Sequence, residues 1–303
     1  MIKSFVTLFV VSLLFTRLTF AQAGVSLTAL PPEEAKEYAK PLATFLGSYF
    51  NSGGYYSANL PKEFQFKFSI IGSYTIIPKS QQTFTPNPGL SGYENLDETA
   101  TITGSTGNVY LGPQGFISYP HGFDVASLPT GIYQAAGSYY GTELLLRFFP
   151  KIKVSDSETG FWGLGLKHSI TQWINDPPFD ISVQVLLNNF SFEYTGDNPK
   201  DYVKTDSKNI AVNAHLSKTF DQWFIVYGGV QYESSKIDMD YYFRDPNELY
   251  PLLADKVLST SIDGSNHFRF TGGAAIKLSV LVLNVDLNVT SQFTITSGLS
   301  LQF

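Results

Sequence analysis

Along residues 293–303 apolar and polar positions alternate. Phe293, Ile295, Leu299, Leu301 and Phe303 share one parity, with Ser297 the single polar member, while Thr294, Thr296, Gly298, Ser300 and Gln302 share the other. Side chains of a strand point to opposite faces with period two, so one face of this stretch is apolar and the other small or polar. Residues 63–77 repeat the pattern. Phe64, Phe66, Phe68, Ile70, Tyr74 and Ile76 oppose Gln65, Lys67, Ser69, Ser73 and Thr75. Strands with an apolar outside, a polar inside and aromatic residues near their ends are what a transmembrane β-barrel requires.

The same alternation predicts strands through most of the chain. Residues 131–139 form a weak one. Over 141–154, Leu144, Leu146 and Phe148 oppose Glu143, Leu145 and Arg147; over 160–173, Trp162, Leu164, Leu166 and Ile170 oppose Gly163, Gly165, Lys167 and Ser169. In 180–194 the apolar parity changes from Ile181, Val183, Val185 and Leu187 to Phe190, Phe192 and Tyr194, which predicts a bulge near Asn188 and Asn189. Residues 208–220 pair through a turn at Asp221 with 223–240. Residues 265–278 and 280–289 form a tight pair: Phe268, Phe270, Ile276, Leu278, Leu281, Leu283, Val285, Leu287 and Val289 face one way, with Arg269, Lys277, Asn284, Asp286 and Asn288 opposite. The fold class is therefore all-β, an antiparallel up-and-down transmembrane barrel of about 10–12 strands. Counted back from the last strand, the long segments 78–129, 195–207 and 244–261 fall on one side. The turns at Pro177 and Pro178, Asp221 and Ser279 fall on the other, the asymmetry of long outer loops and short periplasmic turns. The longest segment is expected to hold an extra hairpin, with 99–103 and 116–119 as short strands. In 244–261, Leu249, Leu252, Leu253, Lys256 and Val257 have helical spacing, interrupted by Pro251.

Before the first strand the period changes. Tyr38, Leu42, Phe45, Leu46 and Tyr49 recur at helical spacing within 33–50, with acidic residues in the first turn; Pro41 is expected to kink or split this helix. Residues 51–56 break it. A cap on the barrel mouth and a plug in its lumen both accommodate the segment, and five large side chains on one face favour the plug because they need burial. Earlier still, Lys3, an apolar run over 5–15 and Ala21-Gln22-Ala23 describe an export signal cleaved after Ala23. The expected organisation is a leader over 1–23, a helical plug or cap over 24–62 and a barrel over 63–303.

Composition narrows the function classes. The formal net charge is −6, and more negative once Lys3 and Arg17 leave with the leader. That balance, with no basic patch, argues against nucleic acid as a partner. The absence of cysteine excludes disulfides and thiolate chemistry. The 25 Phe and 18 Tyr suit strands and membrane interfaces. His121, His168, His215 and His267 show no metal-ligand spacing, so neither a metal nor a cofactor is expected. His168 and Ser169 point to opposite faces of a strand and there is no G-x-S-x-G elbow, so the expectation is that the chain is not an enzyme. Glu143, Arg147, Lys167, Glu193, Arg269, Lys277 and Asp286 are assigned to lumen faces, where they either pair structurally or line a polar path. Gly163, Gly165, Gly228, Gly229, Gly272 and Gly273 are read as sites of strand curvature.

The ending Leu299-Ser300-Leu301-Gln302-Phe303 resembles the C-terminal assembly signal of bacterial outer-membrane proteins, which implies recognition by the barrel assembly machinery and outer-membrane lipid as surroundings. The kinked helix, Asn51-Ser52-Gly53-Gly54, the long aromatic strand to Ile77-Pro78, Gly141-Thr142-Glu143-Leu144, Arg147-Phe148-Phe149-Pro150 and Gly163-Leu164-Gly165-Leu166-Lys167-His168 together resemble an uncharacterised family of Gram-negative outer-membrane barrels. That family is distantly similar to the long-chain fatty acid transporters, which carry a hatch in the lumen. The resemblance implies passive uptake of a small hydrophobic ligand, with Tyr38, Leu42, Phe45, Leu46 and Tyr49 on its path. A shorter chain implies fewer strands and a narrower lumen. A non-transporting structural or adhesive barrel is the competing expectation.

Overall fold

The computed structural model describes residues 27–123, 131–154, 156–196, 200, 202–245 and 248–303; the expected leader lies outside them. Helix α1 (Pro32–Phe50) comes first, followed by β1 (Gln65–Ile76). The long segment after β1 carries two small pairs, β2 (Thr83–Phe84) with β3 (Thr99–Ala100), and β4 (Val109–Gly112) with β5 (Gly115–Ser118). Then come β6 (Ile132–Tyr139), β7 (Thr142–Val154), β8 (Ser157–Ser169), β9 (Asp180–Thr195), β10 (Tyr202–Phe220) and β11 (Phe224–Phe243). The chain ends through β12 (Lys256–Asp263), β13 (Phe268–Leu278), β14 (Leu281–Val289) and β15 (Phe293–Gln302).

The wall is a closed ring. Each strand from β6 to β11 pairs antiparallel with the next, β13 to β15 do the same, β11 pairs with β13, and β1 lies between β15 and β6. β12 pairs with the upper part of β11 and β13 with the lower part, so the two together form one broken strand position. Among the described residues the barrel has ten strand positions, within the range of about 10–12 that the alternation predicts. Closure pairs the strand positions around the ring, the condition for strands in lipid, while β12 pairs on one side alone, with the upper part of β11. The tight turns after β6, β10 and β13 lie at the end where β1 begins and β15 finishes, periplasmic in such barrels; the long segments rise from the other end.

Lipid and lumen faces follow the parities. Ile70, Leu164, Val185, Val212, Val230, Leu283 and Val285 are exposed outward, while Ser69, Gln134, Gln184, Asn213, Asn284 and Thr296 are buried inward. Exposed aromatics sit at the periplasmic rim (Phe64, Tyr139, Trp173, Trp223 and Phe303) and at the upper margin (Tyr74, Trp162, Tyr232 and Phe268), the girdles expected at the two interfaces. Leu299 and Leu301 face lipid beside Phe303.

Three expectations are corrected. Registers of β9 with both neighbours are continuous, so there is no bulge at Asn188 or Asn189. Ser182, Gln184, Leu186, Asn188, Phe190 and Phe192 all face inward on one parity. What changes is the medium. The 20 residues of β11 reach about 65 Å at about 3.3 Å each, far beyond the apolar band of about 25 Å even when tilted. Above that band the outside is watery and carries Lys204, Asp206, Lys208, Lys236, Asp238 and Asp240, with Lys208 and Asp238 3.5 Å apart. The inside of β11 there is apolar: Ile237, Met239, Tyr241 and Phe243 are buried, beside Thr205, Ser207 and Thr260 of its neighbours. Glu193 belongs to this outer surface and not to the lumen. The real irregularity is in β7, between Phe149 and Ile152 around Pro150, which cannot donate to the ladder. Lastly, 248–255 forms turns in place of a helix, and Lys256 and Val257 open β12.

Val285 sits mid-way along β14 on the lipid face. Val285→Arg should lower the unfolding free energy in lipid vesicles by about 2–4 kcal/mol, whereas Asp238→Arg on the watery extension should change it by under about 1 kcal/mol. Equal effects in urea titrations would contradict this placement of the membrane band.

Candidate functional site: the occupied lumen

Helix α1 lies inside the upper half of the wall. Pro32 occupies its first turn, where a missing N–H costs nothing, and Glu33 and Glu34 face the positive end of the helix. The helix runs unbroken through Pro41, contrary to a split there. The backbone is met by outside partners near that point: the Tyr38 carbonyl accepts the Ile102 N–H at 2.8 Å and the Pro41 carbonyl accepts the Gln292 amide at 3.2 Å. From Pro41 to Phe50 every residue is buried. Tyr38, Leu42, Phe45, Leu46 and Tyr49 are all at most 7% exposed, so the five-residue stripe is only part of a helix enclosed on all sides. A cap would leave one face in water. Phe50 stacks on Phe161 at 4.4 Å and meets Phe190 at 5.2 Å, at the bottom of the apolar chamber.

A helix ending in a barrel leaves carbonyls with no intrahelical donor and a partial negative charge. The last turn of α1 has no basic residue of its own. The wall supplies two. Arg147 on β7 donates to the carbonyls of Phe50 and Ser52 and to Asn188 Oδ1 at 3.0 Å. Arg269 on β13 donates to the Ser48 carbonyl at 2.9 Å and the Gly47 carbonyl at 3.4 Å, and holds Glu233 at 3.0 Å. Both arginines are almost wholly buried. Gly47 presses against β11, where a Cβ would stand 2.5 Å from that of Ser235.

Below the helix, residues 51–62 descend in irregular backbone to the periplasmic rim. Such backbone is tolerated at membrane depth only when protein satisfies it, and polar lumen residues do so. Gln231 donates to the Asn51 carbonyl, Gln134 to Gly53, Gln184 to Gly54, Lys167 to Ser57 and Ser182 to Ala58. Ser217 accepts the Ala58 N–H at 2.8 Å. Tyr55 stacks on His215 at 3.9 Å, and Gly229 leaves the room its hydroxyl occupies.

The five expected lumen charges Glu143, Arg147, Lys167, Arg269 and Asp286 all face the lumen without forming one cluster. Arg147 and Arg269 hold the helix end. Glu143 sits between Lys67 at 3.1 Å and Lys167 at 3.0 Å near the periplasmic end. Asp286 accepts from the Tyr227 hydroxyl at 2.9 Å and from Asn288. Lys277 faces the periplasmic mouth. Glu233 and Gln231 carry no sequence expectation, although the inward parity of β11 runs through Tyr227, Gln231 and Glu233, and Asn188 and Asn51, expected at a bulge and a helix break, are lumen hydrogen-bonding groups. Of the glycines, Gly163, Gly165, Gly229 and Gly273 make room for lumen side chains, whereas Gly228 and Gly272 face out. His168 bonds Thr142 on the outer face while Ser169 is buried inside, and His215 bonds Asn213. Among the described residues no group of acidic and histidine side chains forms a metal-binding cluster.

At the outer mouth the segment after β1 folds over α1. The Tyr38 hydroxyl donates to the His121 carbonyl and the Tyr250 hydroxyl to that of Pro88. A cavity of about 380 Å³ lies there, lined by Leu30, Phe116, Ile117, Tyr119, Leu249 and Tyr250 among others. Leu252 and Leu111 beside this mouth are 83% and 87% exposed. Glu34 accepts the Asn87 N–H at 2.8 Å, and burial pushes its carboxyl above the ordinary carboxylate value.

The profile of a family of unknown function (DUF6588) matches residues 1–303. No curated protein matches the sequence. Among solved structures, the outer membrane protease OmpT of Escherichia coli is 9% identical, covering 81% of this chain and 98% of its own, with a TM-score of 0.34. The β domain of the Bordetella autotransporter BrkA is 9% identical, covering 80% and 100%, at 0.37. Ail of Yersinia pestis, solved with a heparin analogue, is 10% identical, covering 80% and 99%, at 0.28. At such scores none of their activities bears on this chain.

Arg147→Met should leave two carbonyls without donors, at about 1–3 kcal/mol each. Amide exchange over 47–58 should speed up while β10 and β11 stay protected; unchanged exchange there would refute the arginine's role. Glu34 gives a pH test. Its raised folded pKa means the folded state holds the proton more tightly, so its stabilisation is present below the unfolded value of about 4.5 and fades as pH rises through the folded one. Glu34→Gln, which keeps the acceptor for Asn87, should therefore raise the melting temperature at pH 8 and leave it unchanged near pH 4. A gain of equal size at both pH values would contradict the assignment.

Proposed function

The chain belongs to the family of unknown function (DUF6588), and we propose for it the passive uptake of a small, mostly apolar compound across the outer membrane of a Gram-negative bacterium. The observation that supports this reading is the cavity of about 380 Å³ at the outer mouth, which rests directly on the apolar jacket of α1. Its size falls in the range of small-molecule sites, about 300–1,000 Å³. The exposed Leu252 and Leu111 give an apolar compound a landing surface, which a general water pore does not need. Residues 27–62 act as the hatch, and uptake requires their displacement as a unit.

A second reading, a sealed barrel with a structural or adhesive role, is favoured by the hydrogen bonds that run from Gly47 to Ala58. The natural chain has no cysteine, so the two readings separate cleanly. Ser52 and Ser73 hydroxyls are 3.5 Å apart, one on the hatch and one on β1. Ser69 and Ser300 hydroxyls are 2.7 Å apart within the wall. In barrels reconstituted in vesicles, oxidised Ser52→Cys/Ser73→Cys should stop entry of an apolar naphthylamine dye, and reduction should restore it. Oxidised Ser69→Cys/Ser300→Cys should transport normally. Dye entry no faster than in empty vesicles, or indifferent to the hatch crosslink, would put the sealed barrel first.

A further inference from the structure

The periplasmic end of the lumen carries more positive charge than the protein neutralises. Lys67 on β1 reaches Glu143 on β7 across β6, which presents only Ala136 and Ser138 between them. Lys167 on β8 stands opposite Glu143 in register. One carboxylate thus serves two ammonium groups, at 3.1 and 3.0 Å, and all three side chains are under 10% exposed. A charge held away from water is costly unless it is paired. Here one positive charge remains.

A cavity of about 280 Å³ opens beside this triad at the periplasmic rim. Lys277 from β13 lines its other side, and Glu143 is the single carboxylate among the described lining residues. Lys277 has no carboxylate within ion-pair distance among the described residues. Donors remain free for a guest. Each ammonium has three N–H groups; Lys67 spends its own on Glu143 and lies 5.1 Å from the Tyr56 ring centre, and Lys167 spends its own on Glu143 and the Ser57 carbonyl at 3.3 Å. Gln302 accepts from the Tyr56 hydroxyl at 2.9 Å, which leaves its amide hydrogens facing the same space.

The geometry points to a second binding site, open to the periplasm, for a small oxyanion held by Lys167, Lys67 and Lys277. It is separate from the apolar cavity at the outer mouth, and because Tyr56, Ser57, Asn59, Leu60 and Pro61 line it, it exists with the hatch in place. A phosphate group and a carboxylate group share the required chemistry.

The test is calorimetric titration of the full-length folded barrel in neutral detergent, with inorganic phosphate in one arm and acetate in the other. Saturable binding of one equivalent is expected in at least one arm; the tighter arm names the source. Lys277→Gln, at the half-exposed rim and so without consequence for folding, should weaken that binding about tenfold, the worth of one charge contact of about 1.4 kcal/mol. Lys167→Gln should weaken it at least as much, and Lys208→Gln on the outer extension should leave it unchanged. The proposal fails if neither anion binds saturably, or if Lys277→Gln binds as tightly as the natural chain.

Discussion

A helix that ends in the middle of a barrel must find donors for its last carbonyls, and Arg147 and Arg269 provide them. Much of the interior follows from that demand. Two guanidinium groups from strands on different sides of the ring converge on Gly47, Ser48, Phe50 and Ser52, so the helix end is fixed against both walls. Arg269 also has Glu233 as a counter-charge. Arg147 has the helix dipole and the side-chain Oδ1 of Asn188 in place of a carboxylate. Planar, forked donors suit such a task, because one side chain serves two acceptors at once.

The interior is accordingly divided in two. Above Phe50 the outside of β10 and β11 is charged and the inside of β11 is aromatic and aliphatic, fitting the apolar helix. Below Phe50 the outside is apolar, the inside is polar, and residues 51–62 exchange backbone hydrogen bonds with glutamine, serine and lysine side chains. Each such bond contributes only about 0.5–1.5 kcal/mol net, but they break together if the segment moves as one piece. A moving hatch would therefore be a two-state element, closed unless a ligand prefers the open form.

Much of this was legible in the sequence, for definable reasons. The strands were readable wherever lipid and lumen impose opposite chemistry on alternate residues, as in β1, β14 and β15. The parity of β9 misled because Asn189, Ser191 and Glu193 face water above the membrane, while Phe190 and Phe192 face the helix. Period-two logic sees the change in polarity but not the change in medium. The stripe from Tyr38 to Tyr49 announces a buried helix, and Arg147 and Arg269 lie on the inward parity of their strands. Their partners were not legible, because backbone carbonyls of another element leave no mark in a linear pattern. Lys67 falls on the polar face of β1, yet its sharing of Glu143 with Lys167 depends on the small residues of β6.

The most direct test of the occupied lumen is the conductance of single barrels in a planar lipid bilayer. With residues 27–62 tied to the wall from Gly47 to Ala58, the natural chain should insert without opening an ion path. A steady, ohmic conductance through the unmodified barrel would mean that the lumen is open, and would contradict the account at its centre.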